Sequence, residues 1–147
     1  MSKLFEGAVK GWKFVLSFLA ISILFWLAQF AYQVYFGAVL SFDMAIVRSF
    51  AFVGATFIAL ALLCSIVFKF YPKYAKYHYV RRSFGVMGVV FGILHIYSAL
   101  NAYFFWDLSK VYFSLNPIEN PLIFGSAAFS LLFIMLLTST DWAEEKL

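Results

Sequence analysis

The sequence predicts an all-α integral membrane protein with four transmembrane helices. Composition points there first. Of 147 residues, 65% are hydrophobic and only 12% charged, against about 45–50% and about 25% in an ordinary soluble domain. Next, four stretches carry no Asp, Glu, Lys or Arg: Phe14 to Phe42, Ser49 to Phe68, Ser83 to Trp106 and Asn120 to Thr140. Each has about 20 residues or more, enough to cross a hydrocarbon core of about 30 Å. Finally, the basic residues fall mostly on one side of the membrane once the chain is threaded through those spans.

The spans are expected at about 14–36, 47–68, 84–106 and 121–139, forming a single transmembrane domain over residues 1–147. Lys3, Lys10 and Lys13 precede the first. They look like the basic start of a signal peptide, but the apolar run is too long and no small-x-small cleavage site closes it, so the helix is read as retained. Gly37 to Asp43 forms its exit and a short loop. In the second span, Gly54, Ala55 and Thr56 offer a close-packing face. Cys64, the one cysteine, reads as a small buried hydrophobe, and a single thiol excludes an intrachain disulfide. Pro72 closes this span. Tyr71, Tyr74, Tyr77 and Tyr79 crowd the loop that follows, a composition suited to the headgroup zone. In the fourth span Asn120 is the expected N-cap and Pro121 lies in the first turn. Its apolar core, Leu122 to Leu137, is the shortest of the four. Gly125, Ser126, Ala127 and Ala128 give it a close-packing face.

Nine of the eleven basic residues lie before the first span, between the second and third, or after the fourth. Only Arg48 and Lys110 lie on the other side. The positive-inside rule therefore places both termini and the second loop in the cytoplasm, in a multi-pass protein of the cell membrane. The net charge of +4 is explained by this topology, and no nucleic-acid partner is expected.

Ionisable groups are costly inside a bilayer and are functional candidates there. The spans hold His95, about twelve residues into the third. Gly85, Gly88 and Gly92 precede it at spacings that place all four within roughly 80° of one another. A helix face free of side-chain bulk beside an imidazole suits a flat macrocycle, and imidazole is an axial ligand of haem iron. The same pattern suits two other roles: Gly88-x-x-x-Gly92 is a helix-packing motif, and an intramembrane histidine can bond a neighbouring helix or relay protons. Arg81 and Arg82 read either as a positive-inside anchor or as donors to a haem propionate, a lipid phosphate or a cofactor phosphate. His78 reads as interfacial, and Ser98 and Asn101 as sites of interhelical bonding. No Asp or Glu lies in a span, which argues against a pump or exporter built on a membrane carboxylate. No phosphate-binding loop, dinucleotide fingerprint, Ser/His/Asp set or Cys/His zinc spacing occurs.

The run Arg81-Arg82-Ser83-Phe84-Gly85-Val86, continuing to Phe91-Gly92-Ile93-Leu94-His95, resembles the third helix of the ferric reductase-like transmembrane domain. That family includes ferric reductases, NADPH oxidases and the bacterial haem subunit of the methionine sulfoxide reductase system. The order Pro121, Gly125, Leu137-Thr138-Ser139-Thr140 is similar to the next helix of bacterial members. The resemblance spans roughly residues 45–147. It implies the first four helices of a six-helix bundle that binds haem b and carries electrons across the membrane. It makes His95 an axial ligand of the haem iron, Gly88 and Gly92 haem-facing positions, and Arg81 and Arg82 propionate or phosphate contacts.

The opposing histidine of the family lies in a Trp-x-x-Leu-His segment that this chain does not contain. Two explanations stand: a chain incomplete at its C-terminal end, or a short form completed by another chain. The amphipathic ending Asp141 to Leu147 reads as a lead-in to more protein. Neither position 13 nor 14 residues to either side of His95 is histidine, so a second haem is not expected. Flavin or quinol, held by a partner protein, would supply electrons, and self-association is a further option. The alternative reading is a non-catalytic multi-pass subunit or scaffold in which His95 is structural.

Overall fold

The computed structural model describes residues 2–37, 41–114, 116, 118–120 and 122–138. Among these the chain is helical, with no strand: α1 Ser2–Phe36, α2 Phe42–Phe70, α3 His78–Ala99, α4 Leu108–Val111 and α5 Leu122–Thr138. Three segments are long and apolar enough to cross a membrane: Ser17–Phe36, Phe42–Phe70 and Tyr79–Phe104. The fourth expected span corresponds to α5, which among the described residues has 17 residues, about 25 Å, at the short end of what a crossing takes. Pro121 and the Ser139-Thr140 ending lie outside the described residues.

Helix boundaries follow local chemistry. Ser41 caps α2 by accepting from the Met44 N–H at 3.2 Å, and Asp43 sits in the first turn, where a carboxylate favours the helix dipole. α2 therefore begins five residues earlier than the apolar pattern suggests. At its far end Tyr71 donates its N–H to Val67 O, and Pro72 opens a 3₁₀ turn over Pro72–Tyr77 that leads directly into α3. α3 does not end in an ordinary turn. Leu100–Phe104 widens into a π-helical segment, and Phe105 closes it by donating to Leu100 O. Phe105 and Trp106 both take positive φ, 49° and 62°, a region that costs non-glycine residues about 1–2 kcal/mol each.

The outward faces of α1, α2, α3 and α5 are apolar, with Leu24, Phe52, Leu62, Ile93 and Leu131 all exposed. In water such surfaces would aggregate; against lipid they are satisfied. Their few hydroxyls are consistent with that environment. Ser22, Thr56, Ser65, Ser98, Ser126 and Ser130 each donate to the carbonyl four residues back, which spares lipid an unsatisfied O–H.

The core is an aromatic seam. Val53 and Phe57 of α2 and Met87 and Phe91 of α3 are buried, with Phe18, Trp26, Phe50 and Phe84 packed around them. Trp26 of α1 stacks on Phe50 at 5.1 Å and donates its indole N–H to Ser49 Oγ at 3.0 Å. The bond answers the one polar atom that would otherwise penalise this half-buried tryptophan.

At the end of the bundle opposite the tyrosine-rich loop, Asn120 is 0% exposed and ties the α4–α5 connection together. Its side-chain amide donates to Val111 O and Ser114 O, and its Oδ1 accepts from the Leu122 N–H. It is thus the N-cap of α5 as well as the organiser of the loop. Asn120→Ala removes three bonds at a buried site, so a loss of about 1–3 kcal/mol is expected. The check is thermal unfolding in detergent together with amide exchange, with faster exchange confined to residues around 111–122.

Asp107 caps α4 in the same region. The Ser109 hydroxyl and backbone N–H both donate to it, and Lys110 lies 3.5 Å away. The Ser109 hydroxyl, chiefly, holds its carboxyl below the usual aspartate value. A depressed carboxyl favours the folded turn above its ordinary pKa, and this contribution is lost as pH falls through the lowered folded value. An NMR titration of Asp107 should show its pKa rising toward the ordinary value in Ser109→Ala.

Candidate functional site

The third transmembrane helix positions the site because its glycines let α2 approach closely. At Gly54 of α2 an added Cβ would lie 3.3 Å from Gly92 N and 3.4 Å from Gly88 O. At Gly88 it would meet Ile58 Cγ1 at 2.7 Å and Ile58 N at 3.2 Å. A side chain at Gly88 would have to displace Ile58, and one at Gly54 would press on the backbone of α3, so the glycines let the two helices meet closely. This backbone approach brings Val47 of α2 beside His95.

His95 is half-buried, and its Nδ1 lies 3.0 Å from Val47 O. A carbonyl only accepts, so Nδ1 carries the proton and donates. In the neutral ring, this bond selects the tautomer whose Nε2 is unprotonated. Among the described residues Nε2 has no hydrogen-bond partner. This is the arrangement by which a backbone carbonyl selects the tautomer of a ligating histidine and orients its ring.

The four residues that spacing assigns to one face separate in the structure. His95 and Gly88 are seven residues apart, about 20° in azimuth, and both meet α2. Gly85 and Gly92 are also seven apart and lie on the flank. An added Cβ at Gly85 would find nothing within 4 Å, and one at Gly92 only the Phe129 ring of α5 at 3.8 Å. The open face expected at Gly88 is therefore filled by Ile58, while the positions without side-chain bulk are Gly85 and Gly92. Sequence spacing gave the azimuths but not which neighbour occupied each of them.

Arg81 and Arg82 are exposed in the first turn of α3. They precede His95 by 14 and 13 residues, about 20 Å along the helix axis. The structure does not bring them to His95; it leaves them at the end of the bundle with the tyrosine-rich loop. The side chain of His78 lies outside the described residues. Ser98 bonds its own helix at Leu94 O instead of a neighbour, and Asn101 is exposed in the π-helical segment. Cys64 is a half-buried free thiol.

Among the described residues no three His, Cys, Asp or Glu side chains gather as they would around a bare metal ion. What the site offers is a single imidazole nitrogen, oriented from behind, on a helix with a partly open flank. Sequence reasoning missed Val47. A backbone carbonyl leaves no mark in a sequence, and this one is 48 residues from its partner. Comparison with models of protein families, with curated proteins and with solved structures finds no match for this chain.

Proposed function

We propose that this chain is a haem b-binding transmembrane electron-transfer domain of the ferric reductase-like type, with His95 as an axial ligand. The observation that carries the reading is the bond from His95 Nδ1 to Val47 O at 3.0 Å, which in the neutral ring leaves Nε2 as the nitrogen available to iron. Support also comes from the Arg-Arg…Gly…His pattern of the third helix and from the two uncrowded glycines, Gly85 and Gly92, that flank His95.

Within that reading each residue has a physical task. Val47 O fixes the tautomer and, by accepting from Nδ1–H, makes Nε2 a better electron donor. Gly54 and Gly88 hold α2 against α3 so that this bond keeps its length. Gly85 and Gly92 leave room along the flank of α3. The apolar spans exclude water from around the imidazole. A bound haem would supply reversible one-electron chemistry at a potential set by ligation and burial. A second histidine would have to come from outside residues 1–147, and a flavin or quinol held by a partner would supply electrons. α5 completes a fourth crossing, and the basic loop faces the cytoplasm.

One observation favours a second reading. The His95–Val47 bond already satisfies one ring nitrogen and ties α2 to α3, which is all that a packing histidine in a membrane scaffold must do. An absorption spectrum of the protein purified from haem-replete cells, oxidised and dithionite-reduced, separates the two. The haem reading expects a split pair of reduced b-type bands. A colourless protein under those conditions leaves the scaffold.

A further inference from the structure

We propose that the connection between α2 and α3, residues 69–82, is a docking surface for anionic phospholipid headgroups. The inference does not rest on the haem reading.

Charge is the first ground. The segment contains Lys69, Lys73, Lys76, Arg81 and Arg82 and no Asp or Glu. Lys69, Lys73 and Arg81 are exposed, and among the described residues none has an acidic partner. Elsewhere, Lys110 is paired with Asp107, so the two ends of the bundle differ in net field as well as in composition.

Shape is the second ground. The 3₁₀ turn over Pro72–Tyr77 is short and continues the bonding from Tyr71, whose carbonyl accepts from the Tyr74 N–H at 3.0 Å. With three residues per turn, positions three apart eclipse. Tyr71 and Tyr74 accordingly form a T-shaped pair at 6.4 Å, and Tyr77 and Tyr79 a second at 6.1 Å. All four rings are between 40% and 58% exposed. Lys73 Nζ sits 5.0 Å above the Tyr74 ring. The result is a low shelf of amphipathic rings with ammonium and guanidinium groups among them.

Position is the third ground. The shelf lies where two membrane-crossing segments, Phe42–Phe70 and Tyr79–Phe104, meet. Tyrosine rings favour the headgroup level, and lysine and arginine there attract anionic lipid. The chemistry recognised is a headgroup phosphodiester with net negative charge. A zwitterionic headgroup offers the same phosphate, but its ammonium cancels the attraction.

The test uses the whole protein in mixed phosphatidylcholine–phosphatidylglycerol bilayers. Electron spin resonance of spin-labelled lipid reads the relative association of the two headgroups with the protein. The expected result is a preference for phosphatidylglycerol of about fivefold. It should fall toward parity when Lys69→Gln, Lys73→Gln and Arg81→Gln are combined. It should fall likewise in the unaltered protein at about 1 M salt, where the screening length is about 3 Å; that arm needs no variant to fold. Arg48→Gln with Lys110→Gln, at the opposite end, should leave the preference unchanged. Parity in the unaltered protein at low salt overturns the proposal and leaves the segment to an acidic protein partner. A preference that survives both the triple substitution and high salt overturns it as well.

Discussion

His95→Ala is expected to abolish the reduced b-type absorption of the haem-loaded protein while leaving its helical content in place. Loss of an outer partner of a metal-bound histidine typically costs 10- to 100-fold in affinity. Loss of the ligand itself should therefore lower haem content by more than about tenfold. The fold should tolerate the change. His95 is only half-buried, and the Val47 carbonyl it bonds belongs to a helical turn that already uses it, so the bond's net worth is about 0.5–1.5 kcal/mol. His95→Gln sharpens the experiment. A glutamine amide can still donate to Val47 O, but it is a poor axial ligand. If His95 serves only to bond α2, Gln should substitute with no spectroscopic consequence. If it ligates iron, Gln should keep the fold and lose the spectrum. Unchanged haem bands in both variants would remove His95 from the site.

The glycines of α3 should divide into two classes, and the division is the second large effect. Gly88→Val is expected to be the most damaging single substitution in the spans. The first added carbon already meets Ile58 Cγ1 at 2.7 Å and Ile58 N at 3.2 Å, and the two methyls of valine extend beyond it. Overpacking of this kind costs about 1–3 kcal/mol, and here the obstacle includes backbone, which cannot rotate away. Gly54→Val should behave alike, because Gly92 N and Gly88 O face it. Ile58→Ala should partly rescue Gly88→Ala, whose nearest contact is that side chain, but should do little for Gly54→Val. Gly85→Ala and Gly125→Ala meet nothing within 4 Å and should be neutral or slightly stabilising, since alanine restricts the unfolded chain. Denaturation in mixed micelles, followed by circular dichroism, reads all of these. A Gly85 or Gly92 variant that keeps its stability but loses haem would place the cofactor on that flank of α3. If the Gly88 and Gly85 variants are equally stable, the close approach of α2 to α3 is wrong.

Several features of the fold are legible in the residues themselves. The absence of charge over long runs requires membrane spans, because lipid tolerates neither free charge nor unpaired backbone. Asn120 announces its helix start by residue type, and its buried cap geometry follows from that chemistry. His95 stands out because a polar ring in an apolar span needs a reason. The early start of α2 was less visible. Asp43 and Arg48 look like loop residues to a hydropathy reading, yet a Ser41 cap and an acidic first turn extend the helix toward the surface. The π-helical close of α3 leaves no sequence signature, since neither a glycine nor a proline marks Leu100–Phe104.

The sequence by itself determined that the chain carries long apolar helices able to cross a membrane, that positive charge gathers between the second and third of them, and that His95 sits within the third. Periodicity also set the angle of each side chain about its own helix axis. What periodicity lacks is the identity of the neighbour at that angle. Only the tertiary structure turned His95 toward Val47, filled the Gly88 face with Ile58, left the Gly85–Gly92 flank uncrowded and carried Arg81 and Arg82 far from the histidine. The physical reason is range. Spans and caps follow from transfer energies and hydrogen bonds over a few residues, whereas the meeting of Gly54 with Gly88 and of Val47 with His95 depends on two helices packing across dozens of residues of chain.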